Sequence, residues 1–161
     1  MKVTIVYSTK YGFTEKCAGL LAERVRGLVS LYNLSKNETP DLTQTDILVL
    51  GSSVYAGHIK KEMLMFINKN KEEIIQKRLM LFTCNMHQGE EEVKQRGQAY
   101  PEEITARAES LVSFGGCFDF SKLNFMERAI IKKVAKVSED VEDMRLDEVD
   151  SLANTINQYC Q

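Results

Sequence analysis

The chain alternates short runs that are apolar at nearly every position with longer stretches whose apolar residues recur every three or four places. The first pattern predicts strands buried on both faces, and the second predicts helices that lay one stripe on a sheet. Lys2 to Ser8, KVTIVYS, reads as a first strand. Phe13 to Leu28 sets Cys17, Leu21, Val25 and Leu28 on one stripe and predicts a helix. Leu28 to Leu34 alternates and predicts a second strand. Asp46 to Gly51, DILVLG, predicts a fully buried third. Ile59 to about Lys69 predicts a helix, with Ile59, Met63, Phe66 and Ile67 aligned. Leu79 to Cys84 is another buried strand, and Pro101 opens a helix to about Ser110. Leu111 to Cys117 is a fifth strand, and Leu146 to Tyr159 a closing helix.

Five strands with intervening helices imply an α/β three-layer sandwich, a parallel sheet covered on both faces. The 161 residues suit a single domain over 1–161, with no repeat or low-complexity linker. Residues 119–145 are too long for a plain connection and predict a helical insertion after strand five. Asn124 with Glu127 makes a capping box. Met126, Ile130, Val134 and Val137 then share one stripe, with Arg128, Lys132 and Lys136 on another, joined by Lys133. From Ser121 to Val137 there are five basic residues against one acid, and Ser138 to Asp150 turns acidic. Such a helix lies on an anionic membrane surface, docks an acidic partner, or packs its stripe on the body with its lysines solvated.

Composition narrows the class. The net charge of −2 gives no general attraction to nucleic acid or membrane. Cys17, Cys84, Cys117 and Cys160 form no C-x-x-C pair, and two histidines are too few for a histidine-based metal site. Reduced thiols in a cytosolic core are expected, with Cys84 and Cys117 ending adjacent strands as small core residues rather than as a redox pair. No signal peptide or membrane span is expected, so the expected location is cytoplasmic, with peripheral contact to the membrane's inner face through residues 121–137.

In an open parallel sheet, ligands bind beyond the carboxyl ends of the strands. The loop after strand one is Ser8-Thr9-Lys10-Tyr11-Gly12-Phe13-Thr14. Hydroxyls around a glycine at a helix start suit a terminal phosphate, and equally suit plain helix capping. Neither G-x-x-x-x-G-K-[ST] nor G-x-G-x-x-G is present. The loop after strand three runs Ser52-Ser53-Val54-Tyr55-Ala56-Gly57-His58, offering an aromatic ring and adjustable backbone to a flat ligand. The loop after strand four begins Cys84-Asn85-Met86-His87-Gln88-Gly89. No nucleophile–base pair or carboxylate dyad stands out, which disfavours hydrolysis.

Taken together, the three loops resemble those of the flavodoxin family. STKYGFT looks like a one-residue variant of its hydroxyl-rich phosphate loop, with Ser8, Thr9, Gly12 and Thr14 matching in kind and Lys10 and Tyr11 departing. The resemblance implies sheet order 2-1-3-4-5 and non-covalent flavin mononucleotide (FMN). It implies phosphate contacts from Ser8 through Thr14, and ring contacts from Ser52, Ser53, Val54, Tyr55, Ala56 and Gly57 and from Asn85, Met86, His87 and Gly89. Tyr55 stacks on the ring in this reading, and Met86, His87 or a partner covers its other face. Gly57-His58 and the segment GGCFDFSKLNFMERAIIKKVAK are similar to the quinone-linked, flavodoxin-like protoporphyrinogen oxidases, although this chain is less basic. That implies electron or hydride transfer with quinone or porphyrinogen as partner. A small electron carrier that docks on larger redox proteins is the alternative, and a scaffold that has lost its flavin a third.

Overall fold

The computed structural model describes residues 1–160. In chain order the elements are β1 (Lys2–Ser8), α1 (Phe13–Arg24), β2 (Leu28–Asn33), β3 (Ile47–Tyr55), β4 (His58–Ile59) and α2 (Lys61–Ile74). Then come β5 (Arg78–Cys84), α3 (Gly89–Ala99), α4 (Glu102–Thr105), β6 (Ser110–Ser113), β7 (Gly115–Phe118), α5 (Phe125–Val134), β8 (Val141–Met144) and α6 (Leu146–Asn157).

Five strands pair in parallel in the order β2-β1-β3-β5-β6. Counted by themselves they run 2-1-3-4-5, as expected. Alternate residues of each central strand feed two cores. Val3, Ile5, Val49, Met80 and Phe82 pack with Cys17 and Leu21 of α1 and Val149 and Leu152 of α6. Val6, Leu48, Leu50 and Leu81 pack on the other face with Met63, Phe66 and Ile67 of α2 and Ile104 of α4. Burying both faces explains why these strands are apolar throughout. The layers are therefore helix, sheet, helix, and the carboxyl ends of β1, β3 and β5 all point one way.

Several boundaries differ from the sequence expectation. The first helix stops at Arg24, because Val25 turns to extended backbone. The third strand runs on to Tyr55, since Gly51, Ser52 and Ser53 stay in register with Phe82, Thr83 and Cys84. Ile59 and His58 belong to β4, paired antiparallel with β3, and not to the helix, which begins at Lys61. The third helix is Gly89–Ala99, where none was expected, and the segment after Pro101 makes only one turn. Only Glu92 and Ala99 of that helix are buried, so it shows little apolar periodicity.

Strand five divides. At Gly115 (φ +82) the chain leaves the sheet, and β7 pairs antiparallel with β8. Cys117 thus sits in this hairpin and not at the end of a sheet strand next to Cys84. Cys84 instead meets Cys17, both buried in one core. A hydrogen bond with Cys84, then burial, push the Cys17 thiol well up. The insertion is the excursion between β7 and β8. Its helix α5 buries no residue, so the apolar stripe does not pack on the body: Phe125 is 87%, Met126 71% and Val134 77% exposed.

Candidate functional site

The first loop leaves β1 at Ser8, which is fully buried. Ser8 Oγ lies 3.0 Å from Ser52 Oγ, at the matching position of β3. Ser52 donates to Ser53 O (2.9 Å) and accepts Lys60 N–H (3.0 Å), so Ser8 is the donor between the two hydroxyls. These serines fasten the first loop to the second. Thr9 Oγ1 accepts the Gly12 N–H at 2.9 Å, closing the turn into α1. Gly12 has φ +93, a backbone that glycine adopts without strain. It makes no side-chain cap for α1, so the helix's first amides face the loop. Thr14 is buried in the first helical turn, and the half-buried Phe13 packs on the core below. Ser35, which no sequence motif marks, holds the loop from the side: its Oγ accepts Thr9 N–H at 3.0 Å and lies 2.9 Å from Thr9 O.

The second loop is a two-residue hairpin. Ala56 (φ +47) and Gly57 (φ +80) join Tyr55 to His58. Holding alanine there costs about 1 kcal/mol, a strain that the tight two-residue turn imposes. Tyr55 stands at the tip, half exposed, and the Lys10 ammonium lies 5.4 Å from its ring centre and 4.9 Å from that of Tyr11. Val54 packs partly on the core, and His58 is exposed.

The third loop turns at Asn85, whose Oδ1 accepts His87 N–H at 3.0 Å. Asn85 N donates to Gly115 O (2.8 Å), and Arg145 Nη2 donates to His87 O (2.8 Å), so the β7–β8 hairpin braces this loop. Met86 is half-buried, while His87 and Gly89 are exposed.

Four buried polar atoms at this end of the sheet have no protein partner among the described residues: Asn33 Nδ2 at the end of β2, and Ser53 Oγ, Asn85 Nδ2 and Gln95 Oε1 around the second and third loops. Ser53 ends its pairing opposite Cys84, next to Asn85. Gln95 Oε1 lies 2.9 Å from where a β-carbon on Gly57 would stand. Buried polar groups are rarely left unpaired, so water or a ligand would meet each of them. Ser53 Oγ and Gln95 Oε1 flanking the Tyr55–His58 turn, with Asn85 Nδ2 at the start of the third loop, fit the polar edge of a flavin nucleotide, and the bare helix start fits its phosphate. By contrast, a hollow of about 390 Å³ lined by Met1, Lys2, Leu28, Thr43, Gln44 and Asp46 lies at the opposite, amino end of the strands, with no such set.

The insertion reaches the first loop. Glu127 accepts hydrogen bonds from Lys10 and from Tyr11 OH (2.5 Å) through Oε1, while Oε2 takes Asn124 N–H at 3.0 Å. The capping box read from sequence is present. The Lys10 ammonium first, then Tyr11, hold the Glu127 carboxyl down at about 2, and Lys10 is raised in turn. Lys122 Nζ donates to Tyr11 O at 3.0 Å. The sequence showed the insertion and its cap but gave no signal that Glu127, Lys122 and Arg145 touch the loops, because those contacts span 58 to 117 residues.

A flavodoxin-domain family model matches residues 4–145, and the chain belongs to that family. Solved structures agree in fold. A flavodoxin from Streptococcus pneumoniae TIGR4 superposes with a TM-score of 0.59 at 17% identity, covering 99% of each chain. The rubredoxin oxygen:oxidoreductase of the anaerobe Desulfovibrio gigas gives 0.61 at 17% identity, over 99% of this chain and 36% of that one. A flavoprotein from Lactobacillus acidophilus, solved in complex with FMN, gives 0.50 at 15% identity over 71% of this chain and 91% of its own. No curated protein sequence is significantly similar to the chain.

Proposed function

We propose that this protein binds FMN non-covalently at the carboxyl end of its sheet and uses it in electron transfer. The observation that carries the reading is the set of unpartnered buried atoms on the second and third loops and the helix that follows, Ser53 Oγ, Asn85 Nδ2 and Gln95 Oε1, together with the uncapped start of α1 after the hydroxyl loop. The FMN complex of the Lactobacillus acidophilus flavoprotein supports the choice of nucleotide. When bound, FMN supplies the redox chemistry, accepting and returning electrons. The chain's residues do the rest. The Phe13 and Thr14 amides and the Thr9 and Thr14 hydroxyls hold the phosphate. Tyr55 lies along the ring, and Ser53, Asn85 and Gln95 meet its polar edge. Gly57 would supply conformationally free backbone beside the ring. Titrating the protein with FMN and with riboflavin tests this reading: tighter binding of FMN supports it, and equal or absent binding overturns it.

Within that function, the finer reading is an oxidoreductase like the quinone-linked protoporphyrinogen oxidases, passing electrons between porphyrinogen and quinone. It is supported by Gly57-His58 and by an insertion whose basic helix α5 keeps Met126, Ile130 and Val134 exposed near the site. An exposed apolar stripe beside Arg128, Lys132 and Lys133 suits an anionic membrane surface, where quinones are found. No helix among the described residues is long and apolar enough to cross a membrane. The second reading is a carrier that docks on larger redox proteins. The correspondence of this chain to 36% of the Desulfovibrio gigas oxidoreductase favours it, since the same fold works there as part of a redox enzyme. Turnover of porphyrinogen with quinone by the isolated protein separates the two.

A further inference from the structure

We propose that the insertion completes the FMN phosphate site, with the Lys122 ammonium binding the phosphate and Glu127 holding the first loop closed around it. The inference rests on the FMN reading above and adds residues from outside the three loops. Lys122 Nζ sits 4.0 Å from the position a Gly12 β-carbon would take and donates to Tyr11 O at 3.0 Å. It therefore stands over the start of α1, where the bare amides point. The phosphate carries nearly two negative charges, and an ammonium beside it adds a charge-assisted hydrogen bond that the hydroxyls of the loop do not supply.

The surrounding charges are arranged for this. Glu127 is occupied by Lys10, Tyr11 and Asn124, so its carboxylate is neutralised and turned to its own partners. Asp119 lies 3.5 Å from Lys122 Nζ, a loose contact, and takes the Ser121 N–H as well. Lys16 is held by Glu142 at 2.7 Å, Lys10 by Glu127 and Lys36 by Glu15 at 2.9 Å, whereas Lys122 has only the looser ion pair with Asp119. Lys10 bridges Tyr11 and Tyr55, so Glu127 fixes the first loop against the second through one side chain. The consequence is linkage: FMN, through its phosphate, orders the insertion, and the insertion tightens FMN. Riboflavin, which lacks the phosphate, does neither.

Lys122→Met keeps an unbranched apolar stem and removes the ammonium with its charge. In the full chain, its FMN affinity should fall about tenfold and its riboflavin affinity stay within about twofold, with a shallower loss of FMN affinity as salt is raised. Lys122→Arg should restore most of the FMN affinity. In the wild type, FMN should slow amide exchange over residues 119–127 while riboflavin leaves it unchanged. An unchanged FMN affinity in Lys122→Met overturns the proposal, as does equal loss for both flavins. Those results leave the FMN reading standing, whereas failure of the wild type to bind either flavin removes both.

Discussion

Thr14, Gly57 and Glu127 each carry a separable part of the account. Hydrogen bonds to a charged group contribute about 1.5–3 kcal/mol, so Thr14→Ala should weaken FMN by about tenfold or more and spare riboflavin. Parallel titrations check this, and equal loss for both flavins would show that the loop does not read phosphate. Gly57 sits at φ +80 with Gln95 Oε1 only 2.9 Å from a new β-carbon. Gly57→Val should therefore both shift the flavin midpoint and cost about 1–3 kcal/mol of stability, measured by redox titration and thermal unfolding. A midpoint unchanged in this variant and in a Tyr55 variant would place the ring elsewhere. The Glu127 carboxyl is lowered from the ordinary 4.5 to about 2 by Lys10 and Tyr11. A lowered carboxyl stabilises the folded contact above its unfolded value and loses that contribution as pH falls through its folded one. The latch should hold above pH 4.5 and open between 4.5 and about 2. Amide exchange near Tyr11 and Lys122 should accelerate across that window, and Glu127→Gln should abolish the step. A step centred near neutrality would contradict it.

At the scale of elements, the strands read well from sequence because burial on both faces leaves no room for polar residues. Ile47 to Leu50 and Leu79 to Phe82 are buried throughout. The helix Gly89–Ala99 was illegible for the opposite reason. It shows the core little beyond Ala99, and its first turn carries Glu90, Glu91 and Glu92, which favours a helix start without marking its length. The division of strand five was hidden too, because LVSFGGC is apolar across the break. Gly115 makes the break: a β-carbon there would lie 1.7 Å from Asp143 O, against backbone that cannot yield. Gly115→Ala should cost about 3 kcal/mol or more and detach β7 from β8, seen as a lower melting temperature and loss of protection at Asn85 and His87. Full retention of both would refute the hairpin's bracing role. The α5 stripe makes its own prediction. With anionic vesicles the protein should sediment at low salt and be released at high salt, and Met126→Ser with Ile130→Ser should abolish sedimentation while sparing FMN. Salt-independent or absent sedimentation would leave the stripe to a protein partner.

For the whole molecule, the parallel sheet and the three loops were legible from the alternation of strands and helices, while the strand order followed only from the resemblance to flavodoxins. What sequence could not show was the closure of the site by distant groups: Ser35 beneath the first loop, Gln95 beside Gly57, and Glu127 and Lys122 reaching back from the insertion. These pairings depend on topology, which places the segment after strand five over the loop after strand one. The insertion thus touches the loop proposed to hold the cofactor while exposing an apolar face outward, an arrangement suited to passing electrons between a held flavin and a partner at the surface. The claim beneath all of this is that the chain holds FMN by phosphate and ring together. The most direct test is an absorption and fluorescence titration of flavin-free protein with FMN. The account predicts that FMN fluorescence is quenched and its visible band resolved until one equivalent per chain is bound, with riboflavin binding about tenfold or more weakly. Protein that remains colourless after purification and leaves FMN fluorescence unchanged throughout the titration would contradict it.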